Sequence, residues 1–179
     1  VPFRTRSSAN NLSGKAALQY DISDDVMAYV SYTRGYKGPA YNIFFNLMGS
    51  GANRIAPETV NSYESGLKTS FLDGAAIVNI AAFYAKYKNY QANNPDIVAG
   101  QVVARLTNAG AVSTKAVELD ILLQPSDNFT VTGGFAYTDA QVDNFRLPVG
   151  APASALIAKG TPLANAPKYK LSVGAQYDW

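Results

Sequence analysis

The chain contains no cysteine and no histidine. The first absence excludes disulfides and thiolate metal sites. The second removes the commonest metal ligand and the commonest general base. No run of 18 apolar residues exists, so no transmembrane helix is written here, although 47% of the residues are hydrophobic. Charged residues are scarce, 16% against a typical ~25%. The net charge of +2 comes without a basic cluster, which makes nucleic acid a poor partner. Neither a Gly-x-Ser-x-Gly elbow nor a phosphate-binding glycine loop is present, so catalysis has no support and no cofactor is implied. Val1-Pro2-Phe3-Arg4 opens the chain without an initiator Met or an apolar leader. We expect a processed chain or a piece of a longer one.

What the sequence does have is tyrosine, 12 of them, and long alternating stretches. Glu58 to Phe71 alternates polar and apolar, Leu72-Asp73-Gly74 turns the chain, and Ala75 to about Lys88 runs back. Each arm is long for a soluble strand, which averages ~5–6 residues, and long enough for a tilted membrane-crossing strand of ~9–11. The unit recurs. Leu12 to Tyr20, Val26 to Gly35, Ala111 to Gln124, Asn128 to Gln141 and Lys168 to Trp179 all read as strands with two-residue periodicity. The connections alternate in length. Short ones fall at 21–25, 72–74 and 125–127, long ones at 36–57, 89–110 and 142–167, with Val102 to Thr107 at the end of the second also readable as the prolongation of a strand. Outer-membrane barrels place short turns at one end and long loops at the other. We therefore expect an all-β fold of antiparallel transmembrane hairpins, about seven strands in all.

Parity assigns the faces. Val78, Ile80, Ala82 and Tyr84 should face lipid, with Phe83 on the other side. Tyrosines near strand ends suit the membrane interface. A lysine facing lipid at mid-depth would cost about 2–4 kcal/mol, so Lys68 and Lys170 belong on the lumen side. Glu64, Glu118 and Asp120 join them there, as groups bonded to water or protein rather than as an acid–base set. Asp139 and Asp143 read as solvated loop carboxylates before they read as a cation site, and Asn93-Asn94-Pro95-Asp96 reads as turn chemistry.

Several motifs resemble the barrel of TonB-dependent outer-membrane receptors. They are Tyr32-Thr33-Arg34-Gly35-Tyr36-Lys37, Pro57-Glu58 with Ser62-Tyr63-Glu64-Ser65-Gly66-Leu67-Lys68, Asn108-Ala109-Gly110, Gly133-Gly134-Phe135-Ala136-Tyr137 and Leu163-Ala164-Asn165-Ala166-Pro167. Their order and spacing, from Leu12 to Trp179, carry the resemblance. It implies a Gram-negative outer-membrane location and a barrel of about 22 strands around an N-terminal plug. Residues 1–179 would then be a partial barrel domain, with the plug absent. The resemblance further implies a scarce ligand, most often a ferric siderophore, bound at the extracellular mouth. Import would be driven by the TonB energy-coupling system acting through the plug. Tyr36, Tyr41, Asn42, Phe44, Phe45 and Arg54 in the first long connection are the candidate ligand contacts, since aromatics and Arg suit an anionic chelate. Ser172, Gly174, Tyr177 and Trp179 also resemble the strand that ends many barrels. Two other readings stay open, a small self-contained barrel with a porin-like role and a soluble β-sandwich binding module.

Overall fold

The computed structural model describes residues 6–42, 54–98, 101–147 and 152–179. A single antiparallel sheet dominates. Its strands are β1 (Gly14–Ser23), β2 (Val26–Lys37), β5 (Glu58–Phe71), β6 (Ala76–Val98), β7 (Gln101–Ser126), β8 (Phe129–Phe145) and β9 (Tyr169–Tyr177), side by side in chain order. A two-stranded piece, β3 (Ala40–Tyr41) and β4 (Arg54–Ile55), sits in the first long connection. No described helix is long and apolar enough to cross a membrane.

The short turns are tighter than the alternation alone implies. Strand pairing runs to Ser23 and to Ser126, leaving Asp24-Asp25 and Asp127-Asn128 as the turns. The third turn, Leu72 to Ala75, needs left-handed backbone at Leu72 (φ 55°), Asp73 (φ 53°) and Gly74 (φ 92°).

Two expectations about the long connections are corrected. The stretch 89–110 is not a loop: β6 and β7 continue to Val98 and Gln101 as one tall hairpin of 23 and 26 residues. Each is more than twice the ~9–11 residues that one membrane crossing takes. Asparagines, Pro95 and Gly110 made the segment read as loop. Here they pair in a ladder, Asn93 with Leu106 and Pro95 with Ala104. The first connection is also shorter than expected, because Tyr36 and Lys37 extend β2 and pair with Thr59 and Glu58. In the third, Gln141 bridges to Pro162, and Leu163 N–H donates to Ala140 O at 2.9 Å.

Directly opposed residues share a face, so the register sorts the whole sheet. One row runs Gln19, Tyr29, Gly66, Ala81, Glu118, Ala136, Lys170. The row beside it on the other face runs Tyr20, Ala28, Leu67, Ile80, Leu119, Phe135, Leu171. Apolar side chains stand out from this second face uncovered: Leu18 is 76% exposed, Leu171 74% and Val173 75%. A soluble sandwich would bury that face under a second sheet. Val78, Ile80, Ala82 and Tyr84 lie on it as expected, and Phe83 lies opposite, beside Glu64. The buried apolar residues Ala85, Val112, Ala116 and Ala140 share the polar side with Glu64 and Glu118, toward the long-loop end.

Candidate ligand-binding surface and the polar face beneath it

Glu64, Lys68, Glu118, Asp120 and Lys170 all fall on one face. Strand parity alone puts them there, since each is an even number of residues from its neighbours on a regular strand. Lys68 and Asp120 share a row through Asn79. Tyr29 organises the middle of this face. Its hydroxyl donates to Glu64 Oε1 at 2.7 Å, and Lys68 Nζ lies 6.0 Å from its ring centroid. The ring lies across Gly66, where a Cβ would come within 2.6 Å of Tyr29 Cε1. A depression of about 280 Å³ follows, lined by Tyr29, Glu64, Lys68, Phe83, Glu118 and Asp120. Such a wet, mixed-charge surface can hydrogen-bond water or a polar polypeptide.

The long-loop end carries the other half of the arrangement. Tyr41 and Arg54 are opposed across the β3–β4 ladder, which sets an aromatic ring and an exposed guanidinium on the same side of the first loop. Asn42 acts on the protein itself. Its Nδ2 donates to Leu106 O at 2.7 Å and ties the loop to the tall hairpin. Tyr36 lies in β2 on the same side as Tyr32 and Arg34, away from Glu64 and Glu118. Phe44 and Phe45 lie outside the described residues.

Sequence reasoning missed the residues that hold this end together, Gln91 and Asn108. Gln91 is 6% exposed, and its Nε2 donates to Gly38 O at 2.9 Å and Ala56 O at 3.0 Å. Asn108 Oδ1 accepts from Ala56 N–H at 2.7 Å, while Nδ2 donates to Ala56 O and to Asn89 O, both at 2.9 Å. The amide-rich composition of 89–108 was the available sign, because amides substitute for backbone partners where a strand ladder ends. Asp139 and Asp143 are strand residues rather than loop carboxylates, because β8 runs on to Phe145. Among the described residues no group of three metal-ligating side chains forms, and Asp143 Oδ1 accepts from Ser113 Oγ at 2.8 Å.

The model of the TonB dependent receptor-like beta-barrel family matches residues 2–179. The chain belongs to that family. Its fold recurs in the ferric yersiniabactin uptake receptor FyuA from Yersinia pestis, with a TM-score of 0.68 at 21% identity over 91% of this chain and 22% of that one. It recurs too in the siderophore receptor PiuA from Acinetobacter baumannii, with a TM-score of 0.68 at 17% identity over 92% of this chain and 23% of that one. Among curated proteins, the metal-pseudopaline receptor CntO of Pseudomonas aeruginosa is 29% identical over 123 residues, 69% of this chain and 15% of its own length. The chain thus spans less than a quarter of these relatives. Receptors of this family are built in the Gram-negative outer membrane, and the family is one of transport receptors.

Proposed function

We propose that these strands form part of the barrel wall of a receptor that imports a ferric siderophore or a similar metal chelate across the outer membrane. Import is energy-coupled, with TonB acting through a plug supplied elsewhere in the receptor. The apolar face contacts outer-membrane lipid. The polar face, with Glu64, Lys68, Glu118, Asp120 and Lys170, lines the lumen and hydrogen-bonds the plug or water.

The observation that carries the ligand reading is the pairing of Tyr41 with Arg54 at the long-loop end. A ring and a fixed cation side by side suit an anionic, partly aromatic chelate by stacking and charge together. The chelate brings its own iron ligands, so a chain without histidine can serve. Asn42 contributes by holding the loop in place, Phe44 and Phe45 belong to the same connection, and Tyr36, on the apolar face of β2, drops out of the ligand set.

The test is uptake of radiolabelled iron by cells whose only such receptor is the full-length protein. Ferric yersiniabactin, ferripyoverdine and a ferric catecholate are supplied in turn. TonB-dependent uptake of one, lost in Tyr41→Ala with Arg54→Ala, supports the reading. Uptake that survives both substitutions, or that persists without TonB, overturns it.

A further inference from the structure

The Asn108-Ala109-Gly110 motif stands where three chain segments meet. Seven hydrogen bonds among the described residues join the first loop and the base of β5 to the tall hairpin. They link Asn42 to Leu106, Ala56 to Asn108 in both directions, Asn89 to Pro57, Gln91 N–H to Glu58 Oε2, and Gln91 Nε2 to Gly38 and Ala56. Among the described residues, the loop's own strand pairing is the two-rung β3–β4 ladder. An isolated ladder of that size does not hold in water.

The hairpin is re-aimed at the same level. Asn89 (φ 54°) and Gly110 (φ 121°) are both left-handed, and the β6–β7 register shifts between Lys88 and Gln91. Such bulges bend a strand pair and turn side chains to a new direction. At the base, Arg146 N–H donates to Ala109 O at 2.9 Å, and a Cβ on Gly110 would lie 2.1 Å from Asn144 O. The end of β8 is thus drawn against the hairpin as well.

We propose that Asn108 and Gln91 are positioning residues that lock the two described ends of the first loop, 38–42 and 54–57, to the upper β6–β7 hairpin, so that Tyr41 and Arg54 are presented at a fixed place. Their role toward ligand rests on the function proposed above. The locking itself does not. Ala56 lies between β4 and β5, outside the strand ladders, and its N–H is bonded by Asn108 and its carbonyl by Asn108 and Gln91.

The experiment uses the full-length receptor in nanodiscs with nitroxide labels at Arg54→Cys and Asn93→Cys, two exposed positions outside the lock. Electron–electron distance distributions are compared with Asn108→Asp and Gln91→Glu, which keep side-chain size and remove the donors. A second label pair, Gln19→Cys with Gln176→Cys, reports the barrel wall. We expect the loop–hairpin distribution to widen about twofold in the double variant, with the wall distance unchanged. An unchanged loop distribution overturns the proposal. Widening of both distances also overturns it, because the amides would then be supporting the barrel rather than the loop.

The functional arm uses unlabelled variants, with ferric yersiniabactin, ferripyoverdine and a ferric catecholate as the probes. The half-saturation concentration for uptake should rise about tenfold at an unchanged maximal rate, the equivalent of one or two lost hydrogen bonds. Should the unsubstituted receptor import none of the three chelates, that outcome counts against the ligand reading alone, and the distances still decide the lock.

Discussion

The ring of Tyr29, with the Ile80 carbonyl oxygen beside it, occupies the space that a side chain at position 66 would need. Gly66 is thus the reason Tyr29 can lie flat on the sheet and reach Glu64 from the adjoining strand. Gly66→Ala should displace the ring, break the Tyr29–Glu64 hydrogen bond and destabilise the receptor by about 1–3 kcal/mol. Gly133 has room, its nearest heavy atom to an added Cβ being Ile121 Cβ at 3.8 Å. Gly133→Ala should therefore be close to neutral. Urea unfolding of the two variants in lipid vesicles, followed by tyrosine and tryptophan fluorescence, distinguishes them.

Gly110 should be the least replaceable glycine in the chain. An added Cβ meets backbone rather than a movable side chain, and φ is left-handed as well. Strain of that kind is worth about 1–3 kcal/mol before the clash is counted. Gly110→Ala should expose the tall hairpin to limited proteolysis while the short-turn end stays resistant. Equal protection of both ends would refute the close approach of β8.

Adjacent residues on β7 should respond oppositely to charge. Leu119 belongs to the apolar row and Glu118 to the polar one. Leu119→Arg should cost about 2–4 kcal/mol, the expense of a cation near the bilayer midplane. Glu118→Arg should cost far less, since it exchanges one wet charged group for another. Folding efficiency into vesicles, read from the migration of unheated samples on a gel, checks the pair.

The aromatic pairs near the strand ends offer a smaller effect. Tyr32 and Tyr63 sit with ring centroids 5.1 Å apart, and Tyr137 and Tyr169 5.4 Å apart. Tyr63→Ala should lose about 0.5–1.5 kcal/mol beyond its area term, and Tyr32→Ala in the same background should add little of that increment. A double-mutant cycle measures the coupling directly.

Two-residue periodicity made the wall legible. Glu58 to Phe71 is a strand with the bounds that its alternation gives, and the Val78, Ile80, Ala82, Tyr84 face follows from parity. Five polar residues could be placed together because register propagates parity across a sheet. Of the upper hairpin only Val102 to Thr107 was legible as strand, and it lies in β7; the rest was not, for a definite reason. Asn89, Asn93, Asn94, Pro95 and Gly110 have loop propensities; the β6–β7 ladder pairs Asn93, Asn94, Pro95 and Gly110 rung by rung, and at the base Gln91 bonds a segment more than 30 residues earlier. Local sequence carries no record of that partner. The same holds for Asn42, whose nearness to Tyr41 suggested a ligand contact and whose side chain is occupied by Leu106.

The central claim is that this sheet is a membrane wall with one lipid face and one polar face, and β7 tests it most directly. The chain has no cysteine of its own, so single cysteines at 116–123 can be spin-labelled in a full-length receptor freed of any others. Collision rates with oxygen, which concentrates in lipid, and with a polar nickel chelate are then read at each site. The account predicts strict alternation, with oxygen favoured at Val117, Leu119, Ile121 and Leu123 and the chelate at Ala116, Glu118, Asp120 and Leu122. A flat profile, or one with the two sets exchanged, would contradict it.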